Sequence, residues 1–163
     1  MVNLVPHYLR AFDAGRLNKA PNFKEDQVSD TKLYVDADRA IGHHAGIHGI
    51  SRGMEIARKH GISFVNVCNS SHFGAAAYFS LYAADNGFSS FSFTNADPLI
   101  KAHGSTSAIT GTNPICFVSP GPENKHFCLD MATSQIPWNK VKNHRMSGEP
   151  LPANTAFDSL GNT

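Results

Sequence analysis

The feature that most constrains the fold is a succession of short β-rich runs separated by a longer apolar segment. The runs "ISFVNV" (62–67) and "FSSFSFTN" (88–95) predict strands, the second with Phe91 and Phe93 on one face. Between them "HFGAAAYFSLYAADNG" (72–87) predicts a helix that stops at its Asn-Gly pair. A crossover between parallel strands places both strand ends at the same sheet edge. The loops "CNSSH" and "TNADP" are therefore expected to lie together.

A second helix is predicted over residues 43–61, after the strand candidate "LYVDAD" (33–38). Small and apolar residues recur in it at helical spacing, basic residues occupy its last turn, and Gly61 stands where a helix commonly ends. The recurring residues are Gly46, Ile50, Gly53, Met54 and Ala57. The glycines predict close packing on a neighbouring element. Two further runs, "ICFV" (115–118) and "FCLD" (127–130), predict a hairpin across a turn-rich connection.

The two ends of the chain are more polar than its middle. Apolar residues at helical spacing predict a helix within residues 2–14, and the polar stretch 15–32 is expected to be a linker. We therefore divide the chain into an N-terminal helical arm and linker, residues 1–34, and one main domain, residues 35–163. The tail that begins at Pro137 is rich in proline and glycine and offers no second core.

Composition narrows the kind of partner. With 14 basic and 13 acidic residues the formal charge is +1, which gives no reason to expect a nucleic acid or a membrane surface and leaves small molecules and proteins. Cys68, Cys116 and Cys128 lie in apolar runs without a CxxC pair and are predicted to be buried thiols. Reduced cysteines, together with the lack of a secretion signal or membrane-spanning run, predict a cytoplasmic protein.

An ionisable ring interrupts the small residues of "NSSHFGAAAYF" (69–79). If a strand ends at Val67 and a helix begins at Phe73, His72 lies at the positive end of that helix. This position would lower its pKa and keep the imidazole neutral. A neutral ring is suited to act as a general base on a substrate hydroxyl. The alternative is that His72 only caps or packs, and the pattern leaves both interpretations open.

One loop motif has the composition of a phosphate site, and a second has the composition of a turn. "LDMATS" (129–134) places an aspartate at a strand end, before small and hydroxyl residues that can offer donors to phosphates. Its alternative role is a helix start at Asp130 or Thr133. "GTNP" (111–114) places a turn just before a strand, and its Gly, Asn and Pro are those of a simple tight turn. The chain contains neither GxGxxG nor GxxxxGK[ST], so a nucleotide site would need another design.

A pair of histidines has the spacing of metal ligands. His44 and His48 stand four residues apart on the predicted helix, which can direct both rings at one ion. Neither the glutamate of an HExxH motif nor an evident third ligand accompanies them. Surface or packing histidines are therefore the favoured interpretation, and no metal site is predicted.

Five motifs taken together resemble a known family. "VDAD" with Gly42, "ARKHGISFVNVCNSSHFGAAAYF", "FSFTNADP", "GTNP" and "LDMATS" occur in the order and spacing of the malate/L-lactate dehydrogenase family. That family also contains sulfolactate, ureidoglycolate and ketimine-reducing enzymes. The resemblance implies an α/β fold with a mixed, largely antiparallel sheet and flanking helices, different from the Rossmann fold and incomplete in this chain. It also implies a homodimer in the full-length form.

The resemblance further implies reversible hydride transfer between NAD or NADP and a small 2-hydroxy or 2-oxo acid of the malate or lactate type. A cationic clamp on the substrate carboxylate is expected with it. His72 is the candidate catalytic residue, as proton acceptor. The cofactor is expected at His72, Phe73, Gly74, Ala75, Ala76, Thr112, Asn113, Asp130, Met131, Ala132, Thr133 and Ser134. The substrate is expected at Asn95, Ala96, Asp97 and Pro98.

The chain departs from the family pattern at its start. Family members carry a Ser-His-Gly motif and a nearby arginine just upstream of the segment that matches "VNLVPHYL" (2–9), and the expected arginine position falls near Asn3 or Leu4. The family also continues beyond Thr163. A fragment or truncated isoform is therefore expected, either inactive or retaining only dinucleotide or partner binding. A histidine-based metal enzyme is the third alternative.

Overall fold

The computed structural model describes residues 4–102, 104–105 and 107–157. Its helices are α1 (Val5–Asp13), α2 (Gly42–His60), α3 (Ala76–Asp85) and α4 (Trp138–Ser147). Its strands are β1 (Lys24–Ser29), β2 (Lys32–Ala40), β3 (Phe64–Ser70), β4 (Ser90–Phe93), β5 (Ile100–Lys101), β6 (Ala108–Thr110), β7 (Ile115–Ser119) and β8 (Phe127–Met131). Within these residues, no helix combines the length and apolar character needed to cross a bilayer.

The strands form three sheets. Sheet A has the order β1-β2-β3, sheet B the order β4-β7-β8, and sheet C consists of β5 and β6. Among the described strands only β2 and β3 pair in parallel, while the other four pairings are antiparallel. The fold is therefore mixed α/β with mainly antiparallel pairing and flanking helices, which confirms the fold class implied by the resemblance. The predicted hairpin is also confirmed, because β7 and β8 are antiparallel neighbours.

The predicted parallel pairing of residues 62–67 with residues 88–95 is wrong. β3 instead runs parallel to β2 through the crossover helix α2, and β4 pairs with β7 in the other sheet. α2 packs on β2 and β3 whereas α3 packs on β4 and β7, so sheet A and sheet B are each packed against a different helix. The loops "CNSSH" and "TNADP" therefore follow strands of different sheets. An apolar pattern shows that an element exists but leaves the choice of neighbouring strand to tertiary packing.

Glycines let α2 lie close to β3, as predicted. A Cβ at Gly49 would stand 2.7 Å from Cγ2 of Val67, too close for two carbon atoms, so only glycine fits there. The buried residues of the helix are Gly42, Ala45, Gly49, Gly53, Met54 and Ile56. Of the five recurring residues predicted for this helix, Gly53 and Met54 are buried, and Gly46, Ile50 and Ala57 are half-buried. Gly61 ends the helix in the left-handed conformation, as its position predicted.

The N-terminal part is more structured than predicted. The helix predicted within residues 2–14 is present as α1, and residues 1–3 lie outside the described part. Residues 24–29, predicted as linker, form the edge strand β1, and that prediction is wrong. All residues of β1 are exposed, so the strand has no buried face that could produce an apolar alternation. The division of the chain into residues 1–34 and 35–163 stays a prediction. β1 pairs with β2 across that boundary.

Within the described residues, sheet B is covered on one face only. Cys116 and Val118 of β7 pack against α3, and the hydroxyls of Ser80 and Ser92 lie 2.8 Å apart across the same contact. The opposite face, called here the outer apolar face, carries Phe91, Phe93, Ile115, Phe117, Phe127, Leu129 and Met131. Phe91 and Phe93 share one face, as predicted, but that face is exposed rather than packed on a helix.

Only one of the three cysteines is buried as predicted. Cys116 lies between sheet B and α3, and burial raises the pKa of its thiol to about 11, so the thiol stays protonated. Cys68 and Cys128 are exposed, and for these two residues the prediction is wrong. They lie on the edge strands β3 and β8, where apolar neighbours in the sequence do not guarantee a covering layer.

Candidate active site

His72 does not stand at the start of α3. The predicted helix start at Phe73 is wrong. Gly74 has a φ of 83°, which is outside the helical range, and α3 begins only at Ala76. The segment instead lies against the first turn of α2, where the amide of Gly42 donates to Oγ of Ser71 at 3.1 Å. A helix N-terminus does lie beside this segment, but it is that of α2.

A tyrosine from the N-terminal helix contacts His72. Tyr8 of α1 places its hydroxyl 2.7 Å from Nδ1 of His72. Its ring also meets His43 of α2 edge to face, with 5.4 Å between the ring centroids. Nδ1 of His43 is buried and has no hydrogen-bond partner among the described residues. Segments from α1, from α2 and from the end of β3 therefore meet at one imidazole.

The surroundings favour the neutral form of His72. Partial burial lowers the pKa of the ring, and the positive charges of His43, His7 and Lys142 lower it further. The ordinary pKa of histidine is 6.5, so the ring is mainly neutral at neutral pH. This direction agrees with the sequence prediction, but burial, rather than a helix terminus, is its first cause. Burial also raises the pKa of Tyr8, which keeps that hydroxyl protonated and able to donate.

The hydrogen bond to Tyr8 determines what the second ring nitrogen can do. When the Tyr8 hydroxyl donates to Nδ1 of His72, Nε2 carries the proton and can donate to a carbonyl oxygen. When Nδ1 carries the proton and donates to the Tyr8 oxygen, Nε2 has a free lone pair and can accept a hydroxyl proton. One contact is therefore compatible with both directions of a reversible oxidation.

A cavity opens beside this pair of residues. Its volume is about 130 Å³. The cavity is lined by His7, Tyr8, Ala11, Arg16, Leu17, Arg39, Ser70, Ser71 and His72. A water molecule occupies about 30 Å³ in the liquid, so the space equals that of roughly four waters. It accommodates a small acid but not a dinucleotide, because pockets for larger ligands start at about 300 Å³.

Hydrogen bonds tie together three of the four predicted binding segments, residues 95–98, 112–113 and 130–134. Oδ1 of Asn113 accepts from the amide of Ala96 at 2.9 Å, which joins "GTNP" to the predicted substrate segment. The carbonyl of Thr112 accepts from the amide of Thr133 at 2.9 Å and from its hydroxyl at 3.1 Å. These two bonds join "GTNP" to "LDMATS".

A carboxylate ties these three segments to the helix that follows the fourth segment, residues 72–76. Oδ2 of Asp130 accepts from the amide of Ala77 at 2.9 Å, so the aspartate in β8 caps α3, the helix that follows His72. The sequence offered a helix start at Asp130 or Thr133, but the capped helix lies 53 residues away along the chain. Residues 95–98, 112–113 and 130–134 therefore form one hydrogen-bonded network, and Asp130 ties it to the first turn of α3, next to residues 72–76.

Several residues of the four predicted segments are exposed to solvent. The exposed residues of the four predicted segments are His72, Ala75, Asn95, Asp97, Pro98, Asp130, Met131 and Thr133. The hydroxyls of Thr133 and Ser134 already donate to backbone carbonyls, at 3.1 and 2.8 Å, which fixes the loop. Donors to a phosphate would therefore come from backbone amides rather than from these hydroxyls, which differs from the role their composition predicted.

The two histidines considered for a metal site have other partners. Nε2 of His48 lies 2.7 Å from the carboxylate of Glu25, which also pairs with Arg52. Phe23 packs against both rings, with its centroid 4.8 Å from that of His44 and 4.6 Å from that of His48. Across the part of the chain that the structure describes, no three metal-binding side chains form a group. The lack of a metal site stays a prediction.

Sequence reasoning missed four residues of this site. Tyr8 belonged to the apolar spacing that predicted α1, and nothing local marks its hydroxyl as a partner of a distant histidine. Arg16 and Arg39 reach the cavity from the stretch predicted as linker and from the end of β2. His43 was noted only as a member of the predicted helix. None of the four was part of a motif that predicted a binding site, so their place in the site is seen only in the folded structure.

Comparison with known proteins agrees with this fold. A family model described as malate/L-lactate dehydrogenase matches residues 2–163. The malate dehydrogenase of Pyrococcus abyssi is 36% identical over 160 residues, which cover 98% of this chain and 44% of that protein. The ureidoglycolate dehydrogenase of Escherichia coli is 30% identical over 157 residues, which cover 96% of this chain and 45% of that protein. The solved malate dehydrogenase of Entamoeba histolytica matches with a TM-score of 0.90 at 30% identity, over 95% of this chain and 43% of that one. The chain spans less than half the length of these relatives. Because the family model matches nearly the whole chain, the chain belongs to the malate/L-lactate dehydrogenase family.

Proposed function

We propose that the protein is an NAD(P)-dependent oxidoreductase that transfers a hydride between a nicotinamide cofactor and a small 2-hydroxy or 2-oxo acid of the malate or lactate type. Membership of a family of hydroxyacid dehydrogenases supports the reaction class. The observation that carries the proposal is the hydrogen-bonded network of residues 95–98, 112–113 and 130–134, which Asp130 ties to α3, the helix that follows His72 and its cavity.

Three of the four predicted segments would hold the cofactor, and the fourth would border the substrate. Residues 72–76, 112–113 and 130–134 would contact the dinucleotide, and residues 95–98 the acid. When bound, the cofactor supplies or takes up the hydride at its nicotinamide C4. Asp130 acts on this surface by capping α3, which positions the backbone that follows His72. Thr133 acts by fixing its own loop on Thr112.

His72 would move the proton. In the oxidation direction Nε2 accepts the hydroxyl proton of the 2-hydroxy acid, while Nδ1 donates to the oxygen of Tyr8. In the reduction direction the ring returns that proton to the carbonyl oxygen. The lowered pKa keeps the ring neutral and ready to accept at neutral pH. Tyr8 is a positioning residue, because its hydroxyl orients the imidazole without reaching the reacting atoms.

Titration of the purified chain with NADH and NADPH, followed by nicotinamide fluorescence, tests cofactor binding. The double variant Asp130→Ala with Thr133→Val removes the cap of α3 and one bond of the loop, so it should bind more weakly. The matched control, Asp130→Asn with Thr133→Ser, keeps both contacts and should bind like the parent. Unchanged affinity in the folded Ala/Val variant would contradict the role of residues 130–134. A parent chain that binds neither cofactor would contradict the proposal as a whole.

A second candidate is a non-catalytic family member that retains dinucleotide or partner binding. The hydrogen-bonded network of residues 95–98, 112–113 and 130–134 supports this candidate equally well, because it needs no proton transfer by His72. Cofactor binding without turnover of malate or lactate would select this candidate. The homodimer expected for a full-length form is proposed with either candidate, and sedimentation of such a form would test it.

A further inference from the structure

His43 is a partly buried titratable residue to which the proposed reaction gives no role. It lies in the first turn of α2, and its side chain is half-buried. Nδ1 of its ring is shielded from solvent and has no hydrogen-bond partner among the described residues. A buried nitrogen without a partner costs stability, so an apolar side chain of similar size would serve folding at least as well. Residues that break a local rule in this way are concentrated at functional sites.

The ring of His43 also lies against the segment that carries His72. A Cβ at Gly74 would stand 2.7 Å from Nε2 of His43 and would displace the ring. The backbone of Gly74 has a left-handed φ of 83°, a conformation that favours glycine in any case. The imidazole of His43 therefore occupies space that is open only because residue 74 has no side chain.

Tyr8 connects the ring of His43 to the ring of His72. The rings of Tyr8 and His43 meet edge to face, with an interplanar angle of 90° and 5.4 Å between their centroids. Such contacts are directional, because the edge of an aromatic ring is positive and its face is negative. The hydroxyl of the same tyrosine lies 2.7 Å from Nδ1 of His72. A phenolic O–H lies in the plane of its ring, so a contact that fixes this plane also fixes the direction in which the hydroxyl donates.

We propose that His43 is a positioning residue, which holds Tyr8 so that its hydroxyl meets Nδ1 of His72. The charge of His43 acts on the same imidazole. Burial is the largest cause of the lowered pKa of His72, and the positive charge of His43 is the next, ahead of those of His7 on α1 and Lys142 on α4. Contact and charge therefore act in the same sense, because both favour a neutral and oriented ring.

This inference rests on the proposed function in one respect, since proton transfer is assigned to His72. The orientation of His72 can be measured without cofactor or acid. If His72 responds as expected while NADH and NADPH do not bind, the positioning role stands and the proposed function fails. If the cofactors bind while His72 does not respond, the proposed function stands and the positioning role fails.

NMR of the purified chain, with 15N-labelled histidines, tests the contact. At about pH 9 imidazoles are neutral, and the two ring 15N shifts report which nitrogen carries the proton. His43→Gln should move both shifts of His72 toward those of an unrestrained histidine. In Tyr8→Phe, which keeps the ring but lacks the hydroxyl, the same substitution should add no further change. His44→Gln, the same change at the next residue, is the matched control and should leave His72 unaltered, because the His44 ring packs on Phe23.

Titration of the same signals with pH tests the charge. His43→Gln should raise the pKa of His72, because a nearby positive charge is removed. Unaltered ring shifts in folded His43→Gln would overturn the inference, as would a pKa of His72 that does not rise. An equal change of the ring shifts in the Tyr8→Phe background or in His44→Gln would overturn it too. If His43→Gln does not fold, His43→Ala decides the outcome, because alanine has the highest helix propensity.

Discussion

The chemistry of His72 depends on groups that lie far from it in the sequence. Tyr8, which contacts Nδ1 of the ring, is 64 residues away. His43 and Lys142, whose charges lower the pKa of the ring, belong to α2 and α4. The neighbouring residues contribute mainly backbone geometry, above all the left-handed Gly74 that delays the start of α3. A histidine in a short polar motif can therefore be noticed from sequence, while its protonation is a property of the folded chain.

Substitution His72→Asn tests whether the ring transfers a proton. Asparagine is polar and caps well, but it cannot accept and return a proton. Oxidation of L-malate should therefore slow by about a hundredfold or more, the usual scale of a lost general base. Steady-state rates across pH, with thermal melts as the folding control, provide the measurement. A folded variant that keeps nearly the parent turnover would show that His72 only packs.

The same variant makes a prediction about stability against pH. Because the pKa of His72 in the folded chain lies below its ordinary value of 6.5, the unfolded chain binds more protons between the two values. Stability therefore rises with pH through that window and falls on acidification below about 6.5. The parent should lose thermal stability on acidification more steeply than His72→Asn. Parallel curves for the two proteins would contradict the lowered pKa.

At the scale of elements, α3 depends on a cap from another strand. Its N-cap residue, Ala75, has no side-chain acceptor, and the Ala77 amide is satisfied by Asp130 of β8 instead. This bond also links sheet B to the start of the helix that follows His72. A contact that holds the helix thereby holds one end of the proposed cofactor surface.

Asp130→Ala should lower the free energy of unfolding by about 1 kcal/mol, the usual cost of a lost N-terminal cap. Asp130→Asn keeps an oxygen acceptor for the Ala77 amide and should cost less. Urea unfolding followed by circular dichroism measures both. Equal stability of the parent and the alanine variant would show that the cap contributes nothing. Equal losses in both variants would assign the effect to the charge rather than to the hydrogen bond.

At the scale of the whole molecule, the outer apolar face of sheet B remains without cover in the described chain. Phe91, Phe93 and Phe127 are each at least 60% exposed, next to Leu129 and Met131 on the same face. Contiguous apolar surface of this kind favours association in water. The inner face, in contrast, is closed by α3 through Cys116 and Val118.

The chain should therefore self-associate with increasing concentration, and Phe91→Ser with Leu129→Ser should reduce the effect. Both positions lie in one row across the sheet, through Phe117. Ile62→Ser, a change of an exposed residue outside this face, is the control and should behave like the parent. Sedimentation velocity gives the measurement. A parent chain that stays monomeric at every concentration would contradict this prediction.

Local pattern determined α1, α2 and the helix end at Gly61, because apolar spacing and the backbone freedom of glycine act within one element. The ordered motifs likewise determined the family, since each is a contiguous run. Three features were decided only by the tertiary structure: the pairing of β3 with β2, the cap of α3 by Asp130 and the contact of Tyr8 with His72. Each of these contacts joins segments that are far apart in the sequence, and the residues of each segment are locally compatible with many different partners. Packing of the whole chain selects one of those partners, so the pairing cannot be predicted from any one segment alone.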